Sequence, residues 1–383
     1  MNTAEMLFSL LRSLLFGKEQ TADIGAMTDE ELRALLELAA KHDLVHLAAL
    51  ALEKTLPTEH KLRPALEKTK MLAVYRTENI RFECEQIETV LSEAKIPFVM
   101  LKGAEIRNLY PEAWMRTSCD IDVLVPENLH KTAVSELCDK LSYGDAKEEY
   151  HDVSIKSPSG VNLELHFSIL EDMPSIDKLL SKAWEHTVFC GEGTTKKKFT
   201  PEYFVFHHIA HMSYHILGGG CGIRPFLDLF FINSKMEYDR DRVLSLCREC
   251  SLEKLFCTAE EISHVWFGDM EHTPLTARLE EYILDGGVYG TKETHVESAQ
   301  ARKGGKGKYV FSRLFMPYKK LKTKYKILEK HPVLTPVYQV VRWGEMLFGG
   351  KLTRSVDELK TVQGTTDEKR EALASLFDEL KIN

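Results

Sequence analysis

Two short runs in which carboxylates alternate with apolar residues constrain this chain more than any other feature of it. In Cys119-Asp120-Ile121-Asp122-Val123-Leu124-Val125, and again in Val161-Asn162-Leu163-Glu164-Leu165-His166-Phe167, polar and apolar side chains take turns along the run. A period of two is the signature of a strand with one buried face. Ile121, Val123 and Val125 are expected in a core, which leaves Asp120 and Asp122 together on the opposite face. Two carboxylates held that close repel each other unless a cation lies between them. If the second strand lies beside the first, Glu164 completes a cluster of three on a rigid sheet. Such a cluster suits chemistry on a phosphate assisted by Mg²⁺ or Mn²⁺.

The surrounding pattern predicts an α+β chain. Residues 1–95 read as a helical region, including a long amphipathic stretch from Leu72 to Ala94. The residue before Pro97 is pushed out of helical geometry, and Phe98–Leu101 reads as a buried strand. Lys102-Gly103 then opens a short helix through Tyr110. The aspartate strand 119–125, a helix from Asn128 to Leu141 and strands at Tyr150–Lys156 and Val161–Ile169 follow. Ser157-Pro158-Ser159-Gly160 has the composition of a tight antiparallel turn between the last two. The expectation is a small mixed sheet within 96–190 with helices on one side. A helical domain at 191–300, interrupted by Gly218-Gly219-Gly220, is expected to face the cleft. A segment at 301–383 begins with a Gly- and Lys-rich linker or lid at 301–308 and ends in an amphipathic helix, Asp367–Lys381.

Composition narrows the functional classes. With 383 residues, 44% hydrophobic and 28% charged, the chain has material for two or three packed units. A net charge of −8 gives no global attraction to polyanions, so a nucleic-acid contact must come from a local patch. The local candidate is the basic segment 302–326, with Lys303, Lys306, Lys308, Arg313, Lys319, Lys320, Lys322, Lys324 and Lys326 interleaved with Tyr309, Phe311, Tyr318 and Tyr325. No apolar run is long enough to span a bilayer. The first helix lacks the basic start and cleavage site of a signal peptide and reads as a packing element. Eight scattered cysteines without a paired framework suit a reducing, cytoplasmic setting. Cys247-Arg248-Glu249-Cys250 is a lone CxxC and reads as a buried thiol pair rather than a zinc site.

Several residues are candidates for holding a phosphate. Gly103 lets the backbone approach an anion at a helix start, and Lys102 adds a point charge. Arg116, four residues before Asp120, is placed either to reach a phosphate or to pair with the acidic cluster. His166 shares the face of Glu164 and is expected to orient a carboxylate or the substrate. Glu171 and Asp172 follow in the next loop, but strand alternation favours Glu164 as the third carboxylate. His207, His211 and His215 recur every four residues, so they line one helix face toward a nucleotide or sit partly buried and hydrogen-bonded. Arg224 and Asp228 are spaced either for a simple helix ion pair or for a nucleotide contact.

Taken in order, Leu101-Lys102-Gly103, Arg116, Asp120-Ile121-Asp122 and Glu164-Leu165-His166 resemble the core of the DNA-polymerase-beta-type nucleotidyltransferase superfamily. More closely they are similar to its bacterial branch of uncharacterised nucleotidyltransferases. The resemblance extends to Lys41-His42-Asp43-Leu44-Val45, to His207-His208-Ile209-Ala210-His211, to Arg224-Pro225-Phe226-Leu227-Asp228 and weakly to Arg313-Leu314-Phe315. It implies a metal-dependent transfer of a nucleoside monophosphate from a nucleoside triphosphate to a hydroxyl acceptor (protein, RNA or small molecule), with pyrophosphate released. Asp120 and Asp122 would bridge two Mg²⁺ ions, and Glu164 would hold the ion nearest the attacking hydroxyl. Lys102-Gly103 stands where the superfamily has Gly-Ser. A catalytically inactive nucleotide sensor, or an RNA-binding protein on the same fold, is the alternative expectation.

Overall fold

The computed structural model describes residues 2–148, 150–348 and 366–382. The chain is α+β, with a seven-stranded mixed sheet flanked by helices. In chain order the strands are β1 (Phe98–Met100), β2 (Asp120–Leu124), β3 (Gly144–Glu148), β4 (Asp152–Lys156), β5 (Asn162–His166), β6 (Thr187–Phe189) and β7 (Lys196–Phe199). Across the sheet they run β3-β4-β5-β2-β1-β7-β6. The two carboxylate strands, β2 and β5, are neighbours and parallel, while β1 is antiparallel to β2 and parallel to β7. The turn at Ser157–Gly160 joins β4 to β5 as an antiparallel pair, closed by Gly160 N–H donating to Ser157 O at 2.9 Å and by Val161 N–H donating to Ser157 Oγ at 3.0 Å.

Four helices precede the sheet: α1 (Thr3–Phe16), α2 (Asp29–Lys41), α3 (Val45–Thr55) and α4 (Arg63–Glu93). Within and after it come α5 (Gly103–Ile106), α6 (His130–Leu141), α7 (Pro174–Leu180), α8 (Pro201–Gly218), α9 (Arg224–Lys235), α10 (Arg240–Glu249), α11 (Glu253–Phe267), α12 (Pro274–Gly286) and α13 (Lys292–Lys303). The alternation in β2 and β5 decides how these helices pack. Ile121, Val123, Leu163 and Leu165 are buried with Phe98 and Met100 against Ile80, Ile87 and Leu91 of α4 and Ala133 and Leu137 of α6. The opposite face carries Val99 and Leu124, which join a larger core shared by α1–α3 and α8–α11. Helices therefore cover both faces, not one as expected. The polar stretch of that second face, from Asp120 to His166, is left bordering a cleft.

Three further expectations are corrected. Strands β3, β6 and β7 escaped the sequence pattern, because β3 is exposed along its whole length and β7 opens with three lysines. The 301–308 stretch is no extended linker: α13 runs to Lys303, and a helix from Lys306 to Leu314 follows at once. Gly304 (φ 70°) caps the first helix and Gly305 (φ 124°) redirects the chain, so the two helices need only a two-residue break. The long helix before the sheet also begins at Arg63, a full turn and more ahead of Leu72. The final helix spans Asp367–Leu380 and buries Leu373, Leu376, Phe377 and Leu380, as its periodicity predicts.

Candidate active site

Parallel pairing of β2 and β5 places Asp122 opposite Glu164, Asp120 opposite Asn162 and Leu124 opposite His166. Because the pairing is in register, the carboxylates share one face without any loop having to position them. His166 Nε2 lies 2.9 Å from Asp122 Oδ1 and 3.7 Å from Glu164 Oε2. One ligand atom from each of Asp122, Glu164 and His166 falls within 4.8 Å of the other two. Asp120 stands beside this group and outside that limit, one pleat along the same strand.

The electrostatics record the crowding. Burial, reinforced by Asp122 and Asp120, pushes the Glu164 carboxyl up to about 7. Burial and Asp122 likewise raise Asp120, against the pull of Lys102, Arg224 and Arg116. Burial also works against the Asp122 carboxylate, but Lys102 and His166 overcome it and hold that group well below the usual range. Neighbouring carboxylates that lift one another in this way fit a divalent cation, whose charge removes the repulsion. Carboxylate oxygens match Mg²⁺, and an imidazole nitrogen among them also suits Mn²⁺.

The cluster opens into a cavity of about 350 Å³ bounded by the sheet on one side and α8 on the other. Lys102 enters it from the end of β1, where Leu101 N–H donates to Asp122 O at 2.9 Å. The lysine backbone sits at φ 40°, ψ −104°, a conformation that L-residues rarely adopt and that functional sites often hold under strain. Among the described residues no hydrogen bond or ion pair engages its ammonium, although its field reaches Asp122, Glu171 and His207. The helix that follows is a single turn, Gly103–Ile106, too short for the helix-dipole contribution expected at its start. Gly103 is needed for a different reason. A Cβ there would lie 2.5 Å from Ser118 Oγ and 2.9 Å from Arg116 Nη1.

Arg116 does not reach the acidic cluster. It is buried and grips Asp228 through Nη2–Oδ2 (2.9 Å) and Nε–Oδ1 (3.3 Å), while Tyr110 donates to the same Oδ1 at 2.8 Å. Asp228 is 1% exposed, and Arg116 holds its carboxyl low despite burial. Of the two alternatives for Arg224 and Asp228, the simple helix ion pair does not form. Arg224 pairs with Asp43 instead, which ties the upstream Lys41-His42-Asp43 stretch to α9. Arg116, Arg224 and Asp228 border the cavity; Arg116 and Asp228 engage each other, and Arg224 holds Asp43 through Nη1 while its buried Nε has no partner among the described residues.

Helix α8 supplies the opposite wall. His207, His211 and His215 all line the cavity, and burial drives all three imidazoles toward the neutral form, His207 to about 3 and His215 to about 4. His211 bridges Glu171 (Nδ1–Oε1, 2.9 Å) and His215 (Nε2–Nε2, 2.9 Å). Glu171 was seen from the sequence only as a rival to Glu164; burial raises its carboxyl to about 7. His208 also lines the cavity, and its Nε2 lies 2.9 Å from Pro225 O. Sequence reasoning also missed Arg107, which holds Gly103 O (2.9 Å) and Ser118 Oγ (3.3 Å), and the exposed Tyr289 at the rim. Neither belongs to a periodic pattern, so neither left a signal. Cys247 and Cys250 are buried free thiols, and among the described residues they join no metal-ligand group. No described helix is long and apolar enough to cross a membrane.

A search of curated proteins found no match. A crystal structure of an antigenic nucleotidyltransferase-like protein from Paracoccidioides brasiliensis is similar at 15% identity over 49% of this chain and 95% of that one, with a TM-score of 0.31. That likeness is too distant to bear on the site. The model of a family described as uncharacterised nucleotidyltransferase matches residues 28–268, a stretch that holds Lys102, Asp120, Asp122, Glu164, His166, Glu171 and the histidines of α8, and the chain belongs to that family.

Proposed function

We propose that this protein transfers a nucleoside monophosphate from a nucleoside triphosphate to a hydroxyl acceptor and releases pyrophosphate. The observation that carries this reading is the convergence of Asp122, Glu164 and His166 ligand atoms within 4.8 Å, in a cavity that Lys102 lines with no partner among the described residues. Asp122 and Glu164, with Asp120 and His166 beside them, would hold a divalent cation. When bound, such a cation neutralises phosphate oxygens and makes a nearby hydroxyl more acidic.

The chain's own groups divide the remaining work. Lys102 opposes the triphosphate charge as a compact cation. His166, bonded to Asp122 Oδ1, fixes the direction in which that carboxylate presents its other oxygen. In the transfer the acceptor oxygen bonds to the alpha-phosphorus as the bridging oxygen to the beta-phosphorus departs with its electron pair. The hydroxyl proton passes to the carboxylate cluster. The sheet holds these groups on paired backbone, so little reorganisation is needed as charge moves.

The test is incubation with alpha-labelled ATP, GTP, CTP and UTP in Mg²⁺ or Mn²⁺, with a cell lysate supplying hydroxyl acceptors. Metal-dependent pyrophosphate release and label transfer are expected with at least one nucleotide, and both should vanish in an Asp120→Asn, Asp122→Asn double variant. Transfer that persists in the double variant would overturn the proposal.

A further inference from the structure

At the rim of the cavity an aromatic side chain stands in solvent on backbone that is tightly fixed. Tyr289 is 75% exposed, yet it lines the same cavity as the carboxylates, and its hydroxyl lies 3.8 Å from Sγ of Cys119, the residue directly before Asp120. Among the described residues no other ring packs on it. Tyr214, the other tyrosine of the cavity, is committed to His211 and His215.

The segment that carries Tyr289 has little freedom to move. It joins α12 to α13 and lies against Gly218-Gly219-Gly220 at the end of α8. A Cβ on Gly220 would collide with the backbone of Gly290, and one on Gly290 would lie 2.9 Å from Gly219 O. Val288 N–H donates to Lys41 O at 3.1 Å, and a Cβ on Gly222 would come within 2.8 Å of Val288 Cγ2. The glycine run, which in the sequence is only a helix break, thus lets two backbones touch. Within the chain the side chain makes only the contact of its hydroxyl with Cys119 Sγ among the described residues, and its ring face is left to solvent. It is preorganised for a flat partner.

We infer that Tyr289 is the platform on which the nucleobase of the bound nucleotide stacks. The inference rests on the nucleotidyltransferase reading and adds to it the surface that receives the base. The carboxylates and Lys102 give the cavity its charged groups, suited to phosphates, whereas the exposed Tyr289 offers a π face in the same lining. Stacking of this kind tolerates any base, because every base has a π face.

Calorimetry of the full chain with Mg²⁺ and two probes, a non-hydrolysable alpha,beta-methylene nucleoside triphosphate and inorganic tripolyphosphate, separates the two readings. Tyr289→Ala should weaken the nucleotide analogue roughly 5- to 150-fold, the range that base–aromatic stacking supports, and leave tripolyphosphate unchanged. Tyr289→Phe should restore nucleotide affinity to near the unsubstituted value. Equal affinity of the alanine variant for the nucleotide would overturn the platform while leaving the phosphate site standing. Parallel loss of both probes would place Tyr289 at the phosphate end and also overturn it. Failure of the unsubstituted chain to bind either probe would remove the nucleotidyltransferase reading and this one together.

Discussion

His166 Nε2 lies 2.9 Å from Oδ1 of Asp122, across two strands whose partners are 44 residues apart in the chain. The contact comes directly from the parallel register of β2 with β5, and it places an imidazole against the carboxylate of the site that is held below its usual range. His166→Ala should therefore leave the fold intact and release Asp122 from its fixed orientation. The expected outcome is a loss of divalent-cation affinity of about 10- to 100-fold, the range seen when groups that orient metal ligands are removed. Titration with Mn²⁺ checks it.

Lys102 combines strain with charge, and substitution separates the two. Lys102→Gly relieves a backbone held at φ 40° and is expected to raise stability by about 1 kcal/mol or more, because positive-φ strain at a non-glycine residue costs on the order of 1–3 kcal/mol. Lys102→Ala keeps the strain. Both variants should bind tripolyphosphate about 10-fold or more weakly, the loss of one charge-assisted contact worth ~1.5–3 kcal/mol. Denaturant unfolding alongside calorimetry measures both effects, and equal stability of the two variants would show that the backbone carries no strain.

Arg116 and Asp228 hold the sheet against α9 from a buried position. Removing one partner leaves an unpaired charge out of water, so Arg116→Ala or Asp228→Ala should destabilise the protein by about 3–5 kcal/mol. Replacing both with apolar residues should cost less than the sum of the single changes. A double-mutant cycle by urea denaturation measures the coupling.

Glu171 and the α8 histidines pull stability in opposite directions with pH. Burial raises the Glu171 carboxyl to about 7 from an ordinary 4.5, so the folded state holds this proton more tightly than the unfolded state. Its contribution is fully present below pH 4.5 and is lost as pH rises through 7. His207 and His215 are lowered by burial to about 3 and about 4, so the protein loses stability as pH falls from 6.5 toward those values. A Glu171→Gln variant keeps the histidine limb and removes the Glu171 share of the carboxyl limb, leaving that of Glu164, which is also raised to about 7. Relative to the parent chain it should gain thermal stability steadily between pH 4.5 and 7.5. A difference that stays flat across that window would contradict the shift at Glu171.

The carboxylate strands were legible because their buried face needs Ile121, Val123, Leu163 and Leu165 at every second position, and a one-residue slip would have put aspartates into the core of α4 and α6. That the two strands are neighbours was only a condition of that reading, and the structure supplies both the adjacency and the register. Residues that act across long separations left no comparable trace. Arg116 finds Asp228 112 residues away, and Arg224 turns to Asp43 181 residues back, although an Asp stands one helical turn ahead of it. Spacing along a helix shows which pairs can meet, while burial elsewhere decides which do. Glycines 218–220 marked a break, but the reason for the break lay in Gly290, on a loop seventy residues later. The edge strands were hidden because an exposed edge imposes no alternation.

The claim on which all of this stands is that the carboxylate face of β2 and β5 binds a divalent cation. Electron paramagnetic resonance with Mn²⁺ added to the metal-free protein measures that directly. The expected result is saturable binding that Mg²⁺ displaces and that Asp122→Asn or Glu164→Gln abolishes while circular dichroism stays unchanged. Mn²⁺ binding of undiminished affinity in both folded variants, or none in the parent chain with or without nucleotide, would contradict it.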